Sequence, residues 1–471
     1  MKRILRAGGL VVLAVLAAGA GGEPEPRYSR PAGAAESSEP FIAAGFRALF
    51  TCSAHFHAGR PLDDILRVEL ADTAALGLPT PVIDRERGLV QAADLEGNRR
   101  TAVYRHSMGC TLLAPHQRVA DSVRLPYVEF RPSAPLDRVP FPAGNLVVVN
   151  GGGTWSHGRQ LRAISDAAFD GESYGSGSLT TALLVVADGR ILLEHYRPLF
   201  GPHSGYRTWS TAKTISAAVI GVAVAEGLLD IDQAAPIPEW QFGRDPRAAI
   251  TPRQLLWMAS GLASEGANTD AIYFGGQDVI SAATATPLEA APGTRWKYAN
   301  NDTLLLLRAL RAAIDDDHAY LRYPYDKLLH RIGMFDTRME TDHAGNFIAS
   351  SQVYTTARDL ARFGLLLAND GVWQGERVLP EGWVEFLTTP APMRQSAAGG
   401  WGYGAQVWLL NDVTGIPAGT FTTAGNKGQY VSVVPAHDLV IVRTGVDPAG
   451  VRFAQDRLVA DIVGELYPGV R

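Results

Sequence analysis

The spacing of apolar residues changes along this chain and predicts strands, then helices, then strands again. Two apolar stretches, residues 181–187 and 190–196, are joined by Asp188-Gly189, a dipeptide typical of a two-residue β-hairpin turn. Residues 210–226 are apolar most of the way round a helix, which predicts a buried helix. Further helices are predicted at residues 158–169, 251–258, 301–314, 326–332 and 356–368. Strands return at residues 403–410, 428–435 and 439–445, and a helix at about 453–466 follows them.

This order of elements predicts an α/β (α+β) fold. A hairpin, a helical insert, three more strands and a final helix fit one antiparallel sheet flanked by the terminal helices. The helical insert then forms an α-helical subdomain on the other side of the sheet.

The N-terminus has the three-part pattern of a secretory signal. Lys2, Arg3 and Arg6 precede an apolar run from residue 8 to about 18, and small residues follow it. We therefore expect a signal peptide at residues 1–20 and a secreted or periplasmic protein, with an uncleaved anchor as the alternative. The run is short for a membrane span, which needs about 20 apolar residues. Residues 21–40 are rich in Pro, Glu, Ala, Gly and Ser and indicate a flexible linker.

Residues 41–150 combine short, partly alternating segments with turn residues, which predicts a small β-rich N-terminal domain. The glycine run at residues 151–153 marks its end and lacks the Gly-Lys pair of a phosphate-binding loop. Residues 151–471 then form the main domain. The sequence assigns no function to the N-terminal part.

The composition indicates a large globular protein and bears on which binding partners to expect. The 471 residues are 46% hydrophobic, enough for a large core and two or three domains, and the formal net charge is −5. No basic stripe with interleaved aromatic residues is present, so we do not expect nucleic acid as a partner.

The chain has two cysteines, Cys52 and Cys110, and both follow the predicted export signal. An even number of cysteines in an exported protein favours a disulfide between them. A zinc site is one alternative, because His55 and His57 follow the first cysteine and His106 precedes the second. Free buried thiols are another.

Candidate chemistry lies at the start of the buried helix, where Ser210 and Lys213 are three residues apart. Residues at this spacing share a helix face, so a lysine whose pKa is lowered by burial could take the serine proton. Five of the 43 basic residues are lysines and the rest are arginines, so this lysine is not a generic positive charge. The alternative is a chance helix start with a capping serine.

Two later segments offer supporting groups. Tyr298 and Asn300 follow a Pro-Gly turn and precede a helix, where a phenol near a lysine could relay protons. Gly428 and Gln429 open a strand, and a backbone N–H there could donate to an oxyanion. The alternatives are packing and helix capping for the first pair and an ordinary hairpin turn for the second.

A Gly-x-Ser-x-Gly pattern around Ser173 looks like the nucleophile elbow of another hydrolase class. That elbow needs a strand before the serine and a helix after it. Here a predicted helix precedes the serine and a predicted strand follows it, so we do not expect Ser173 to be a nucleophile.

Together these motifs resemble the serine β-lactamase and penicillin-binding-protein superfamily, in particular its class C-like branch. The order Ser210-x-x-Lys213, Tyr298-x-Asn300 and a late glycine-bearing strand matches, and the resemblance covers about residues 179–467. It includes the Thr-Pro-Arg-Gln-Leu-Leu run at 251–256 and the Tyr-Thr-Thr-Ala-Arg-Asp-Leu run at 354–360. Within the branch it is most similar to the esterases and the 6-aminohexanoate-dimer hydrolase type.

The resemblance implies that Ser210 is acylated, that Lys213 and Tyr298 share general acid and base work, and that Asn300 helps to position the substrate. It also implies an oxyanion hole from the N–H groups of Ser210 and Gln429, and no metal or cofactor. The substrate would be a small molecule or a short peptide-like compound.

One departure bears on the substrate. Lactamases of this branch usually carry Lys-Thr-Gly on the last strand, whereas this chain has Asn426-Lys427-Gly428. This favours an ester or amide over a β-lactam, and Lys427 is expected to border the cleft, partly exposed, and to bind an anionic group. A β-lactamase or D,D-peptidase is the alternative within the class. A catalytically silent wall-binding protein is the alternative from another class.

Overall fold

The computed structural model describes residues 40–130, 136–147, 158–263, 270, 272–394 and 400–469. The predicted signal peptide, the linker up to residue 39 and the glycine run at 151–153 lie outside the described residues. The strands are β1 (Val82–Asp84), β2 (Leu89–Ala93), β3 (Arg99–Arg105), β4 (Gly109–Leu112), β5 (Thr180–Ala187), β6 (Arg190–Tyr196), β7 (Tyr206–Arg207), β8 (Arg338–Met339), β9 (Val353–Thr355), β10 (Val372–Trp373), β11 (Glu376–Arg377), β12 (Gly402–Tyr403), β13 (Trp408–Leu409), β14 (Phe421–Gly425), β15 (Gln429–Val434) and β16 (Leu439–Gly445). The α-helices are α1 (Pro40–Cys52), α2 (Leu62–Arg67), α3 (Gly158–Phe169), α4 (Thr211–Ala225), α5 (Pro252–Leu256), α6 (Val279–Thr284), α7 (Asn300–Ile314), α8 (Asp317–Pro324), α9 (Ala357–Ala368), α10 (Trp383–Thr388) and α11 (Gln455–Leu466).

Within the described residues the largest sheet is antiparallel and has the strand order β12-β13-β14-β15-β16-β5-β6. Side chains alternate along its central strands between two apolar layers, as the period of two requires. In β5, Leu183 and Val185 belong to the layer that α3 and α11 cover, whereas Leu184 and Val186 belong to the layer that contains α4 and α9. The prediction of one antiparallel sheet flanked by terminal helices, with a helical subdomain on the other side, is confirmed.

The prediction of a single strand at 403–410 is wrong, because two short strands replace it. A Cβ at Gly404 would lie 2.0 Å from the Leu387 carbonyl oxygen, and Gln406 has a φ of 63°. This left-handed backbone interrupts the strand. The predicted helix at 326–332 is one π-helical turn, Tyr325–Leu329, that continues from α8. Strand β14 was not predicted.

The N-terminal part contains the predicted β-strands, paired in the order β1-β2-β3-β4, but it begins with the unpredicted helix α1. Helix α1 packs on β2 and β3, and Phe46, Leu49 and Phe50 join the same buried apolar cluster as α4 and α9. This part therefore shares its core with the main domain.

The predicted disulfide between Cys52 and Cys110 is confirmed, and it joins the end of α1 to β4 with Cα atoms 6.1 Å apart. Bonded sulfurs cannot serve as zinc thiolates, so the zinc alternative at these residues fails. No helix among the described residues is both long enough and apolar enough to cross a membrane.

Candidate active site

Ser210 occupies the N-cap position of helix α4, and its side chain is partly exposed. The residue before it, Trp209, has a φ of 49°, a left-handed conformation that is uncommon for residues other than glycine. This sharp turn places the hydroxyl beside the first turn of the helix. The N–H groups of a first turn lack intrahelical partners and can stabilise negative charge.

Lys213 is buried and its Nζ lies 3.0 Å from Ser210 Oγ. The same Nζ lies 2.6 Å from Asn300 Oδ1 and 2.8 Å from the Ser350 carbonyl oxygen. Burial lowers the pKa of Lys213 to about 7. A substantial fraction of this lysine is therefore neutral at physiological pH and able to accept a proton.

The three contacts of Lys213 fit both protonation states, because an ammonium ion can donate to all three oxygens and a neutral amine to two of them. A neutral amine has two N–H donors and one lone pair, and Asn300 Oδ1 and the Ser350 carbonyl oxygen can only accept hydrogen bonds. The lone pair is then left for the Ser210 hydroxyl, which can donate to it. This is the arrangement that a general base for Ser210 requires.

Tyr298 lies on the loop before helix α7, and its ring centroid is 5.0 Å from Lys213 Nζ. Its ring also contacts Tyr403 and Trp408, with centroids 6.0 and 5.8 Å away. The structure thus brings together Ser210, Lys213, Tyr298 and Asn300, as the sequence predicts. Their catalytic roles stay predictions.

Asn300 is the first residue of helix α7. A buried hydrogen bond between Ser260 and Asp302 holds the first turn of this helix. Ser260 Oγ donates to Asp302 Oδ1 at 2.8 Å, and burial raises the pKa of Asp302 to about 7. Neither this carboxyl group nor the Ser350 carbonyl was predicted from the sequence. A backbone carbonyl has no side-chain signature, so no sequence pattern could have indicated the second.

Gly428 and Gln429 lie against the nucleophile segment. A Cβ at Gly428, whose φ is 82°, would lie 1.6 Å from Arg443 Nη1, so the position requires glycine. Thr211 Oγ1 donates to the Gln429 carbonyl oxygen at 3.2 Å and so joins the first turn of α4 to β15. The Gln429 side chain turns away and donates to the Gly445 carbonyl oxygen. The backbone of Gln429 thus remains the part near Ser210, while its role in an oxyanion hole stays a prediction.

Lys427 departs from its expected placement. Its side chain is 7% exposed rather than partly exposed. It lines a partly open cavity together with Arg207, Trp209 and Gln429, and Ser210 is not among the residues that line it. Lys427 lies in the turn between β14 and β15 and has a left-handed φ of 58°, so the alternation of side chains along a strand does not set its direction.

Ser173 follows α3 and precedes β5, which is the wrong context for a nucleophile elbow, as predicted. It is exposed and its hydroxyl donates to Asp170, the acceptor that organises a local turn. The pattern around it therefore forms a turn.

Comparison with known proteins identifies the family. The profile of the Beta-lactamase family matches residues 166–463. The 6-aminohexanoate-dimer hydrolase of Paenarthrobacter ureafaciens is 28% identical over 310 residues, which cover 60% of this chain and 77% of that protein.

Two solved structures show the same fold. One is a family VIII carboxylesterase with a TM-score of 0.52 at 15% identity, covering 65% of this chain and 96% of that one. The other is a D-stereospecific amidohydrolase from Streptomyces sp. with a TM-score of 0.50 at 17% identity, covering 66% of this chain and 99% of that one. Because the family match spans well over half of its length, the chain belongs to the beta-lactamase family and is a serine hydrolase.

Proposed function

We propose that the protein is an exported serine hydrolase that cleaves an ester or amide bond of a small molecule or short peptide-like compound. Ser210 is the nucleophile that becomes acylated, and Lys213 and Tyr298 share the general acid and base work. The observation that carries this proposal is the buried Lys213 Nζ, 3.0 Å from Ser210 Oγ, with its pKa lowered to about 7 by burial.

In the first half of the reaction, Ser210 Oγ forms a bond to the carbonyl carbon of the substrate while its proton passes to Lys213 Nζ. The carbonyl oxygen becomes negatively charged. The N–H groups of Ser210 and Gln429 are proposed to hold this oxyanion, at the positive end of the α4 dipole. When the intermediate collapses, the bond to the leaving alcohol or amine breaks, and the leaving group takes a proton through Tyr298 or Lys213.

In the second half, a water molecule attacks the acyl group on Ser210 and gives one proton to the same basic pair. The acyl–oxygen bond to serine breaks, a carboxylic acid leaves, and Ser210 recovers its proton. Water is the only co-reactant that this sequence of bonds and protons requires.

Two observations support an ester or amide over a β-lactam. The relative with 28% identity is named for hydrolysis of a 6-aminohexanoate dimer. In addition, the lysine nearest to the place of the Lys-Thr-Gly motif, Lys427, is buried and lines a cavity whose lining does not include Ser210. A β-lactamase or D,D-peptidase remains the competing proposal.

Export is proposed on the pattern of residues 1–20, and the disulfide between Cys52 and Cys110 supports it. Disulfides persist outside the reducing cytoplasm. Sequencing the N-terminus of the protein recovered from the producing cell tests this proposal, and a chain that keeps residues 1–20 in the cytoplasm would contradict it.

The nucleophile and the substrate class are tested together by intact-mass spectrometry. The protein is incubated with a fluorophosphonate and, separately, with a penicillin, with Ser210→Ala as the control. We expect one fluorophosphonate adduct on Ser210, no adduct in the variant and no lasting adduct or turnover with penicillin. Penicillin hydrolysis would select the β-lactamase alternative, and a chain that takes no fluorophosphonate would indicate the silent binding protein.

A further inference from the structure

A small, partly open cavity of about 20 Å³ lies between the N-terminal part and the turn that precedes the nucleophile. Its wall includes Ala54, Arg60, Glu69, Arg207, Trp209 and Lys427. Holding one water-sized occupant takes about 10–15 Å³. The cavity therefore has room for a single water molecule or monatomic ion and excludes a substrate group.

Arg207 is the feature of this cavity that needs an explanation. It is 5% exposed, and Nε, Nη1 and Nη2 have no hydrogen-bond partner in the structure. Its Cζ lies 3.5 Å from the Phe50 ring centroid and 4.5 Å from that of Trp209, so the guanidinium group lies against both aromatic rings. Ring faces attract the cation, but they do not satisfy N–H groups that point outward in the guanidinium plane.

The carboxylate that lines the cavity does not pair with Arg207. Among the described residues that line it, this carboxylate is Glu69. Glu69 is paired with Arg60, which also contacts Asp64 at 2.7 Å. The compensation that Arg60 receives is therefore not available to Arg207.

A second carboxyl group near Arg207 is that of Glu340, whose pKa burial raises and the Arg207 charge lowers in part. Its Oε1 accepts hydrogen bonds from Ser53 Oγ at 2.6 Å and from the Cys110 N–H at 2.9 Å. Burial raises the pKa of Glu340 to about 7, so this group is a weak source of negative charge near neutral pH. A buried cation without hydrogen bonds or a counter-charge is unfavourable.

We propose that this cavity binds a small monovalent inorganic anion, with chloride as its abundant form, and that Arg207 holds the anion. A water molecule could occupy the same volume and accept a hydrogen bond, but it would leave the charge uncompensated. Because Trp209 and Gln429 also line the cavity, the anion stabilises the turn before Ser210 and the start of β15. Loss of the anion should therefore loosen the nucleophile segment as well as lower stability.

The first test measures thermal unfolding of the full chain at constant ionic strength while chloride replaces gluconate, an anion too large for the cavity. Binding to the folded state alone raises stability with ligand concentration, so we expect the unfolding midpoint to rise by a few degrees along a saturable curve. Arg207→Gln should abolish this dependence. Arg253→Gln is the matched control and should keep it, because Arg253 is a partly exposed arginine paired with Asp232 elsewhere on the surface.

The second test does not depend on whether the Arg207 variant folds. Crystals of the wild type grown or soaked in bromide should show anomalous density within hydrogen-bond distance of the Arg207 guanidinium group. A midpoint that is equal in chloride and gluconate, together with a water molecule in the cavity, would overturn the proposal. Neither measurement uses catalysis, so failure of this proposal leaves the assignment of Ser210 untouched.

Discussion

Lys213 is the residue on which the proposed chemistry depends. If it is the base, replacement by alanine should lower kcat/KM for a p-nitrophenyl ester by about 10² or more, as should Tyr298→Phe, because positioned acid and base groups typically contribute 10² to 10⁴. Lys213→Arg should be nearly as inactive, since arginine does not give up its proton. Circular dichroism checks that each variant keeps its fold. A highly active arginine variant would show that position 213 supplies only charge.

The burial of Lys213 also predicts how stability depends on pH. Its pKa falls from 10.5 to about 7 on folding, so between pH 7 and 10.5 the unfolded chain binds more protons than the folded chain. Stability of the wild type therefore rises with pH in this window, by about 1.4 kcal/mol for each unit by which folding lowers the pKa. Lys213→Met lacks this contribution.

The measurement is urea unfolding of both proteins at a series of pH values. We expect the stability of the methionine variant relative to wild type to be greatest near pH 6 to 7 and to decline toward pH 10. A difference that does not change with pH would mean that Lys213 titrates normally in the folded protein.

The placement of Lys427 leads to a prediction about substrate charge. This side chain is buried and lines a cavity whose lining does not include Ser210. Lys427→Ala should therefore change the KM of neutral and carboxylate-bearing esters to a similar extent. The test is to measure KM for both kinds of ester with the wild type and with Lys427→Ala. A several-fold rise in KM confined to the carboxylate-bearing esters would instead show that Lys427 contacts substrate, as the sequence motif alone predicts.

At the scale of elements, the disulfide between α1 and β4 closes a loop with a sequence separation of 58 residues. Chain entropy suggests that the bond contributes on the order of 4 kcal/mol of stability, less any strain. We expect the double variant Cys52→Ala/Cys110→Ala to unfold at a lower urea concentration, because its free energy of unfolding should be lower by about 2–4 kcal/mol. Equal unfolding midpoints for this variant and the oxidised wild type would contradict the stabilising role.

The elements that the sequence predicted well are those with a strong local pattern. The hairpin β5–β6 follows from apolar runs around Asp188-Gly189, and helices α4, α7 and α9 follow from their apolar spacing. Helix α1 was missed although its residues from Ala43 to Cys52 are all buried. It packs on β2 and β3, which are distant in the sequence, and a local pattern carries no information about such contacts.

The candidate site was likewise predictable only in part. The pair Ser210 and Lys213 could be predicted because residues three apart share a helix face. Their contacts with Asn300 and Ser350 join segments 87 and 137 residues away from Lys213. Local patterns carry no information about such contacts, so only the motif order and the resemblance indicated Asn300.

At the scale of the whole molecule, the N-terminal part is integrated with the catalytic part. Phe50 packs on Trp209, with ring centroids 5.4 Å apart, and Trp209 directly precedes the nucleophile. The Glu340 side chain joins Ser53 and the Cys110 backbone to the main domain. The family match begins at residue 166, so these contacts lie between the family domain and a segment outside it.

The central claim, that Lys213 is the base that activates Ser210, is tested most directly by the rate of Ser210 acylation as a function of pH. The rate constant for labelling by a fluorophosphonate is measured by intact-mass spectrometry in the wild type, Lys213→Ala and Ser210→Ala. The wild-type rate should rise through an apparent pKa of about 7, the value that burial gives Lys213. Lys213→Ala should label at least about 10²-fold more slowly without this transition, and Ser210→Ala should not label. A Lys213→Ala variant that labels at the wild-type rate with the same pH profile would contradict the account.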